Sequence, residues 1–386
     1  MDLTPEQELL RNTVREFCQR EVKPIAAAVD RDALYPVDTL QKMAGLGLFG
    51  IPVATEHGGS GAGYVGYCLA VEEIAKVCMS HAVIVGAHTS LCALPLQTFG
   101  TPEQKERLLR RLAAGETLGA FALTEPGAGS DAAAIKLSAA RKGGEWVLNG
   151  TKTWITNGAE ADVVIVLAVD NPALGARGGV TAFLVEKGMA GFRVGSKFDK
   201  MGIRGSSSAE LVFENCRVPE ANVLGKVGEG FRVAMSTLAA GRMTLGAGCV
   251  GGSIAAMEAS VDYAKQRVAF NQPIAKFQAI QFKLADMAVG IHAMRTLVYD
   301  LAAQVDAGKK GDDLARQTAI VKLFCSEVSH DIVDEAVQIH GGMGYSKEFL
   351  VERLYRDQRV VEIFEGTSEI QRTIIAEDVL KRGAGY

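Results

Sequence analysis

Residues 146–167 read Trp146-Val147-Leu148-Asn149-Gly150-Thr151-Lys152-Thr153-Trp154-Ile155-Thr156-Asn157-Gly158-Ala159-Glu160-Ala161-Asp162-Val163-Val164-Ile165-Val166-Leu167. Short β-branched and apolar runs parted by Asn-Gly pairs are strand and turn signals. They predict strands at 146–148, 151–156 and 163–167, with a turn at Asn149-Gly150. Similar runs at 180–185 and 211–213 continue the pattern, so 118–226 reads as a compact middle β domain. On both sides the period lengthens to that of a helix. In 1–117, Thr4-Pro5-Glu6-Gln7 reads as a capped helix start. Leu10, Val14, Phe17 and Cys18 follow at helical spacing, and Gly100-Thr101-Pro102 opens a later helix. In 227–386, Leu284, Met287, Ile291, Met294, Leu297 and Leu301 trace one stripe. Ile320, Leu323, Phe324, Val328, Ile332 and Val337 trace another, stopped by Gly341-Gly342. The order all-α, all-β, all-α predicts an α+β multidomain chain ending in an antiparallel helical bundle.

Composition narrows the function. The 386 residues are 48% hydrophobic, and 41 Lys plus Arg against 45 Asp plus Glu give a net charge of −4. That balance, with no basic stripe, argues against nucleic acid or an anionic membrane as partner. No stretch approaches the ~18 consecutive apolar residues of a spanning helix. The acidic Met1-Asp2-Leu3-Thr4-Pro5-Glu6 has neither a signal nor a transit character, so a cytoplasmic location is expected. Seven scattered cysteines without a CxxC pair suggest reduced, buried thiols, and the six histidines show no metal-ligand spacing. No metal is expected.

Four segments could carry chemistry. Thr124-Glu125-Pro126-Gly127-Ala128-Gly129-Ser130-Asp131-Ala132 contains Gly-x-Gly-x-x-Ala, but strand rather than helix follows, which argues against a Rossmann site. Its glycines still let backbone approach a phosphate or a flavin edge, unless the segment is an ordinary loop. Trp154-Ile155-Thr156-Asn157-Gly158 offers an indole and a hydroxyl to a planar ligand, or simply a core tryptophan. Gln338-Ile339-His340-Gly341-Gly342-Met343-Gly344 ends a helix, with His340 readable as a satisfied helix-end residue. Phe364-Glu365-Gly366-Thr367-Ser368-Glu369-Ile370-Gln371 sets Glu365 on a turn before a helix, which Ser368-x-x-Gln371 reads as capping. Beside Val360, Val361, Ile363 and Phe364 its carboxylate could be a base, although taken singly it reads rather as an exposed loop glutamate.

Together, in this order and spacing, these segments resemble the acyl-CoA dehydrogenase family of FAD flavoproteins. Tyr263-Ala264-Lys265-Gln266-Arg267-x-x-Phe270, Phe277-Gln278-Ala279-Ile280-Gln281 and Lys200-Met201-Gly202-Ile203-Arg204 extend the resemblance over essentially the whole chain. It implies an N-terminal helical domain, a central β-barrel-like domain and a C-terminal four-helix bundle. It implies that FAD meets Phe121, Leu123, Thr124, Gly129, Ser130, Trp154, Ile155, Thr156, Thr367 and Glu369. Arg267, Phe270, Gln278, Gln338, Gly341 and Gly342 would reach the FAD of a neighbouring subunit in a homotetramer. Ser130, Arg242 and Gly366 would meet the acyl-CoA substrate.

Glu365 matches the family's catalytic base. It would take the α-proton while hydride leaves carbon β, giving a trans-2-enoyl-CoA as in fatty-acid β-oxidation. Enolate charge would be stabilised by the Glu365 N–H and a ribityl hydroxyl of FAD. Two branches carry the base one residue before the matching Arg, where this chain has Gly241. Ala239, usually Asp in short- and medium-chain members, and Phe364, often Tyr, resemble the very-long-chain branch, whose long C-terminal extension is missing; chain length and branching stay open. Electrons would pass to an electron-transferring flavoprotein. The alternatives are an acyl-CoA oxidase, a specialised dehydrogenase of glutaryl-, aromatic- or cyclic acyl-CoA, and an alkylation-response relative acting on DNA, which the charge disfavours.

Overall fold

Thr4 caps the first helix as its sequence dictates. Its Oγ1 accepts Gln7 N at 3.3 Å, Gln7 Oε1 accepts Thr4 N at 3.1 Å, and Pro5 opens the first turn. The computed structural model describes residues 2–309 and 311–383. Its N-terminal helices are α1 (Pro5–Phe17), α2 (Ala26–Arg31), α3 (Val37–Gly45), α4 (Gly63–Ala75), α5 (Met79–His88), α6 (Leu94–Phe99), α7 (Pro102–Gln104) and α8 (Arg110–Ala113). The strands are β1 (Gly119–Ala122), β2 (Ser138–Lys142), β3 (Glu145–Thr156), β4 (Val163–Val169), β5 (Val180–Glu186), β6 (Phe192–Lys197), β7 (Ser208–Pro219) and β8 (Val223–Leu224).

These form one sheet in the order β6-β7-β3-β2-β4-β5-β8, with β1 parallel to β4 at its side. The β4 run is continuously apolar because both faces are covered. Val163, Ile165 and Leu167 pack towards the helices with Leu96, Leu109 and Val233, whereas Val164, Val166 and Ala168 fill the sheet interior with Phe183, Leu211 and Phe213. Asn149-Gly150 is not a turn, contrary to expectation. β3 runs straight through it with a bulge between Leu148 and Gly150, and Asn149 Oδ1 accepts Asn215 N at 2.8 Å. The real β2–β3 turn is Gly143-Gly144, whose φ values of +58° and +84° suit a two-residue hairpin that side-chain-bearing residues close less readily.

The C-terminal part comprises α9 (Gly230–Gln266), a hairpin of β9 (Val268–Ala269) and β10 (Gln272–Pro273), then α10 (Gln278–Asp306), α11 (Asp312–His340), α12 (Leu350–Gln358) and α13 (Ser368–Arg382). Although separated in sequence, the two helical regions share one core, in which Val14, Leu69 and Ile74 join Met243, Val250, Val298 and Val333. Polar contacts lock them together. Asp306 of α10 accepts Tyr64 N and Val65 N at 2.7 and 3.0 Å, capping α4 from across the fold. Glu72 of α4 accepts Tyr299 Oη at 2.7 Å and Arg295 Nε at 3.2 Å. Met79–Phe99 and Gly230–Gln266 have the length and hydropathy of a membrane span, and 67% of an apolar 18-residue window in each is buried inside the fold. All seven cysteines are buried and unpaired.

The α11 stripe is phased differently from its expected face. Val321, Lys322, Cys325, Ser329, Ile332, Val333, Ala336 and Ile339 are buried, while Phe324 is 36% exposed. Apolar periodicity selected a flank because the true inner face carries a lysine and serines. That polar inner face points to a site.

Candidate active site

Glu365 sits where the chain leaves the single turn Arg359–Glu362 after α12. Its φ is +54°, a left-handed conformation rare outside glycine, and the next residue, Gly366, has φ +94°. Three bonds hold this strained turn. Arg242 Nε donates to the Glu365 carbonyl at 3.1 Å, and Gln371 Nε2 donates to the carbonyls of Glu365 and Gly366 at 3.3 and 2.9 Å. A Cβ on Gly366 would lie 2.6 Å from Gln371 Nε2 and 3.2 Å from the Arg242 guanidinium, so glycine is required. The cap of α13 is Thr367, whose Oγ1 accepts Ile370 N at 3.4 Å, and not Ser368 as the sequence pattern suggested. Gln371 is thereby free to grip the turn.

The turn throws the Glu365 side chain inward, against α9. Oε2 is buried and has no hydrogen-bond partner among the described residues. It occupies the space beside Gly241, where any added Cβ would collide with it, and Leu91 closes the other side at 2.9 Å from that Cβ position. Burial pushes the carboxyl up to about 7, while the nearby charges of Arg242 and Lys322 pull the other way. Among the described residues no acceptor takes the Glu365 N–H. A buried carboxylate with a free lone pair, beside a free N–H donor, is equipped to take a proton and stabilise the charge left behind. The exposed-loop alternative for Glu365 is excluded.

The loop 123–137 lies over the middle domain and is clamped from below. Glu125 accepts Lys136 N at 2.7 Å, Leu137 N at 2.9 Å and Lys152 Nζ at 2.8 Å; Lys152 also donates to the Leu123 carbonyl at 2.9 Å. Thr153 N donates to the Thr124 carbonyl at 2.9 Å, which joins this loop to the Trp154 segment. Phe121, Thr124 and Thr156 are half-buried there, and Gly129 and Ser130 are exposed. Leu123 and Ile155 turn their side chains into the cores, so only their backbone is available to a ligand. Trp154 is not a core residue. At φ +60° it is 55% exposed and stacks on Phe198 with centroids 4.0 Å apart.

A third group lies elsewhere. Tyr263, Arg267, Ile274, Ile339, His340, Gly341, Gly342 and Met343 line a cleft of about 350 Å³, with Tyr263 stacked on His340 at 4.3 Å. Gln278 and Gln338 are exposed nearby in sequence, and Phe270, at φ +51°, is 90% exposed at the tip of the β9–β10 hairpin. Arg242 lies within α9 and Arg267 is the residue that caps its C-terminal end, 25 residues further on, or about 37 Å at ~1.5 Å per residue. Arg267 is therefore not brought to the Glu365 of its own chain. Thr367 lines a smaller cleft with Arg359, Glu362 and Arg372, and Glu369 is exposed on the first turn of α13. Sequence reasoning missed Lys322, Lys152, the grip of Gln371 and the clamp by Glu125. A lysine inside an apolar-periodic helix is the one available signal for Lys322.

Comparison with known proteins decides the family. Residues 4–116, 120–216 and 228–380 match the N-terminal, middle and C-terminal domain models of acyl-CoA dehydrogenase. The chain belongs to the acyl-CoA dehydrogenase family. An acyl-CoA dehydrogenase of Bacillus subtilis is 46% identical over 98% of this chain and 99% of its own. The structure of butyryl-CoA dehydrogenase from Megasphaera elsdenii superposes with a TM-score of 0.96 at 41% identity, over 98% of this chain and 99% of that one. A chain from the structure of the electron-transferring flavoprotein of Acidaminococcus fermentans gives the same TM-score and identity over 99% of both.

Acyl-CoA dehydrogenases are FAD flavoproteins, and this one has residues that fit the cofactor. Gly341 and Gly342 present bare backbone, since a Cβ on either would meet nothing within 4 Å. Beside them, Arg267 supplies a forked cation for a diphosphate and Tyr263 an aromatic face. The loop around Gly129 and Ser130, with the exposed Trp154, offers a second surface suited to a flat ring.

Proposed function

We propose that this acyl-CoA dehydrogenase converts an acyl-CoA thioester to its trans-2-enoyl-CoA, and that an electron-transferring flavoprotein takes the electrons. The observation that carries this is the buried, unpartnered Oε2 of Glu365 beside Gly241. Glu365 Oε2 receives the proton from carbon α. Its N–H, held by the Arg242 and Gln371 bonds to the same turn, donates to the thioester oxygen as negative charge builds there. An isolated thioester α-proton is far too weakly acidic for a carboxylate, so this donor is as necessary as the base. When bound, FAD supplies the acceptor for the hydride leaving carbon β. Arg242 and Gly366 border the substrate, and Leu91 helps exclude water.

Likeness to butyryl-CoA dehydrogenase along nearly the full chain supports a short, straight acyl group as substrate. The superposition on a chain from an electron-transferring flavoprotein structure supports that partner. For assembly we infer a homotetramer built from dimers. Arg267 cannot serve its own Glu365 site, and the cleft beside it would hold the FAD of the partner subunit. The strained, exposed Phe270 on the adjoining hairpin and the exposed Phe282 and Val289 of α10 favour such a contact. The seven buried, unpaired cysteines support a cytoplasmic location.

The test is a panel of acyl-CoA thioesters of increasing length and branching, mixed anaerobically with the FAD-loaded protein. Bleaching of the flavin band by butyryl-CoA in preference to long-chain thioesters is expected. Absence of bleaching by every member would overturn the reading, and rapid peroxide formation in air would indicate an oxidase.

A further inference from the structure

The inner face of α11 carries a lysine with no evident structural task. Lys322 is fully buried in the bundle, and its Nζ has no hydrogen-bond partner among the described residues. A buried ammonium is costly unless an opposite charge answers it nearby. It belongs to a polar seam between α9, α11 and α12. Ser253 Oγ and Gln358 Nε2 are also buried and unpartnered there, and Ser329 Oγ donates to Gln358 Oε1 at 3.4 Å.

A Cβ on Gly246 of α9 would lie 2.9 Å from Val321 beside Lys322, and one on Gly241, a little over a turn earlier on α9, would meet Glu365 Oε2, so α9 brings the two side chains to one place. The charged and titratable groups whose fields reach Lys322 are Arg242 and Cys249 from α9, Glu362 from the turn after α12, Glu365, and Glu369 from the start of α13. Glu362 is paired with Arg359, Glu369 is exposed, and burial pushes the Cys249 thiol up to about 11, so it stays neutral. The anion left to answer Lys322 is Glu365.

We propose that Lys322 is the positioning cation of the catalytic base, favouring the ionised form of Glu365 through space without bonding to it. The inference rests on Glu365 being that base. A direct ion pair would occupy the lone pair that must receive the α-proton. Both cations near Glu365 avoid this: Arg242 spends its Nε on the backbone carbonyl, and Lys322 bonds to no carboxylate oxygen. During turnover the proton passes from carbon α to Oε2; burial lowers the Lys322 amine to about 8, so below that pH it remains the cation.

The test is Lys322→Met in the FAD-loaded protein. Methionine fills a similar volume, and removing an unpartnered buried charge does not require the fold to give way. Without the cation, Glu365 ionises at higher pH. The rising limb of the pH profile for flavin reduction should therefore move up by roughly one unit, a ~10-fold loss at pH 6, with KM nearly unchanged. Lys322→Arg should move it back. Infrared titration of the Glu365 carboxyl band, identified by its loss in Glu365→Gln, reads the same shift without turnover. An unmoved profile with an unmoved carboxyl titration overturns the role of Lys322. If Glu365→Gln reduces flavin at the normal rate, the base assignment itself fails; if it is inactive while Lys322→Met leaves the profile in place, only the Lys322 inference fails.

Discussion

Glu365→Gln should make the protein more stable above neutral pH while stopping turnover. Burial lifts the Glu365 carboxyl from 4.5 to about 7 in the fold. A raised carboxylate disfavours the folded state once the unfolded chain has lost its proton. The cost is absent below pH 4.5, grows between pH 4.5 and 7, and is complete above 7. At ~1.36 kcal/mol per pKa unit it is on the order of 3 kcal/mol. Glutamine keeps the shape and cannot ionise, so it escapes this cost. The assay is denaturant unfolding of both proteins at saturating FAD, from pH 5 to 7.5. The stability difference, variant minus wild type, should rise by about 2–2.5 kcal/mol over this window, since part of the cost is already present at pH 5. Its value at acid pH absorbs whatever the buried amide itself costs. A difference that stays flat or falls with pH would refute the raised, unpartnered carboxyl from which the mechanism starts.

Other perturbations separate the parts of the site. Arg267→Ala should weaken FAD retention and loosen the dimer together, seen as loss of colour on dilution in sedimentation; a monomer that keeps its flavin would show that the cofactor site is complete in one chain. Glu125→Ala leaves the buried Lys152 amine without its counter-charge, held by the Leu123 carbonyl alone, and strands two backbone N–H groups; it should cost about 3–5 kcal/mol in melting experiments. Lys152→Met should cost less and release less FAD, because Glu125 keeps both backbone donors; the reverse order would contradict the clamp. Gly241→Ala puts a Cβ into Glu365 Oε2 and should slow flavin bleaching by ~10²-fold with FAD still bound, since misplacing a catalytic group is that costly.

Where local chemistry governs, the sequence was readable. Thr4 and Gln7 cap α1 whatever surrounds them, and the unbroken apolar run of β4 announces a strand covered on both faces. Asn149-Gly150 misled because the β3 register is set by β7, where Asn149 is needed to bond Asn215. The helical regions read as separate because nothing local records that Asp306 caps α4 or that Glu72 meets Tyr299. At the site, Glu365 was legible only through the family resemblance, because its Gly-containing turn and apolar neighbours by themselves read as an exposed loop. Its supports were not: Lys322 interrupts the α11 stripe, and a search for apolar spacing slides past it onto Phe324. Ala239 and Phe364 suggested the very-long-chain branch, yet the whole chain also superposes on butyryl-CoA dehydrogenase. Two side chains do not carry chain length.

The central claim is that the Glu365 carboxylate removes the α-proton, and it is tested most directly by stopped-flow reduction of the flavin in Glu365→Gln. The variant should bind FAD and butyryl-CoA as the wild type does. Its flavin should bleach at least ~10²–10⁴-fold more slowly, the range expected for loss of a general base. Bleaching at the wild-type rate would contradict the account and move the base to another residue.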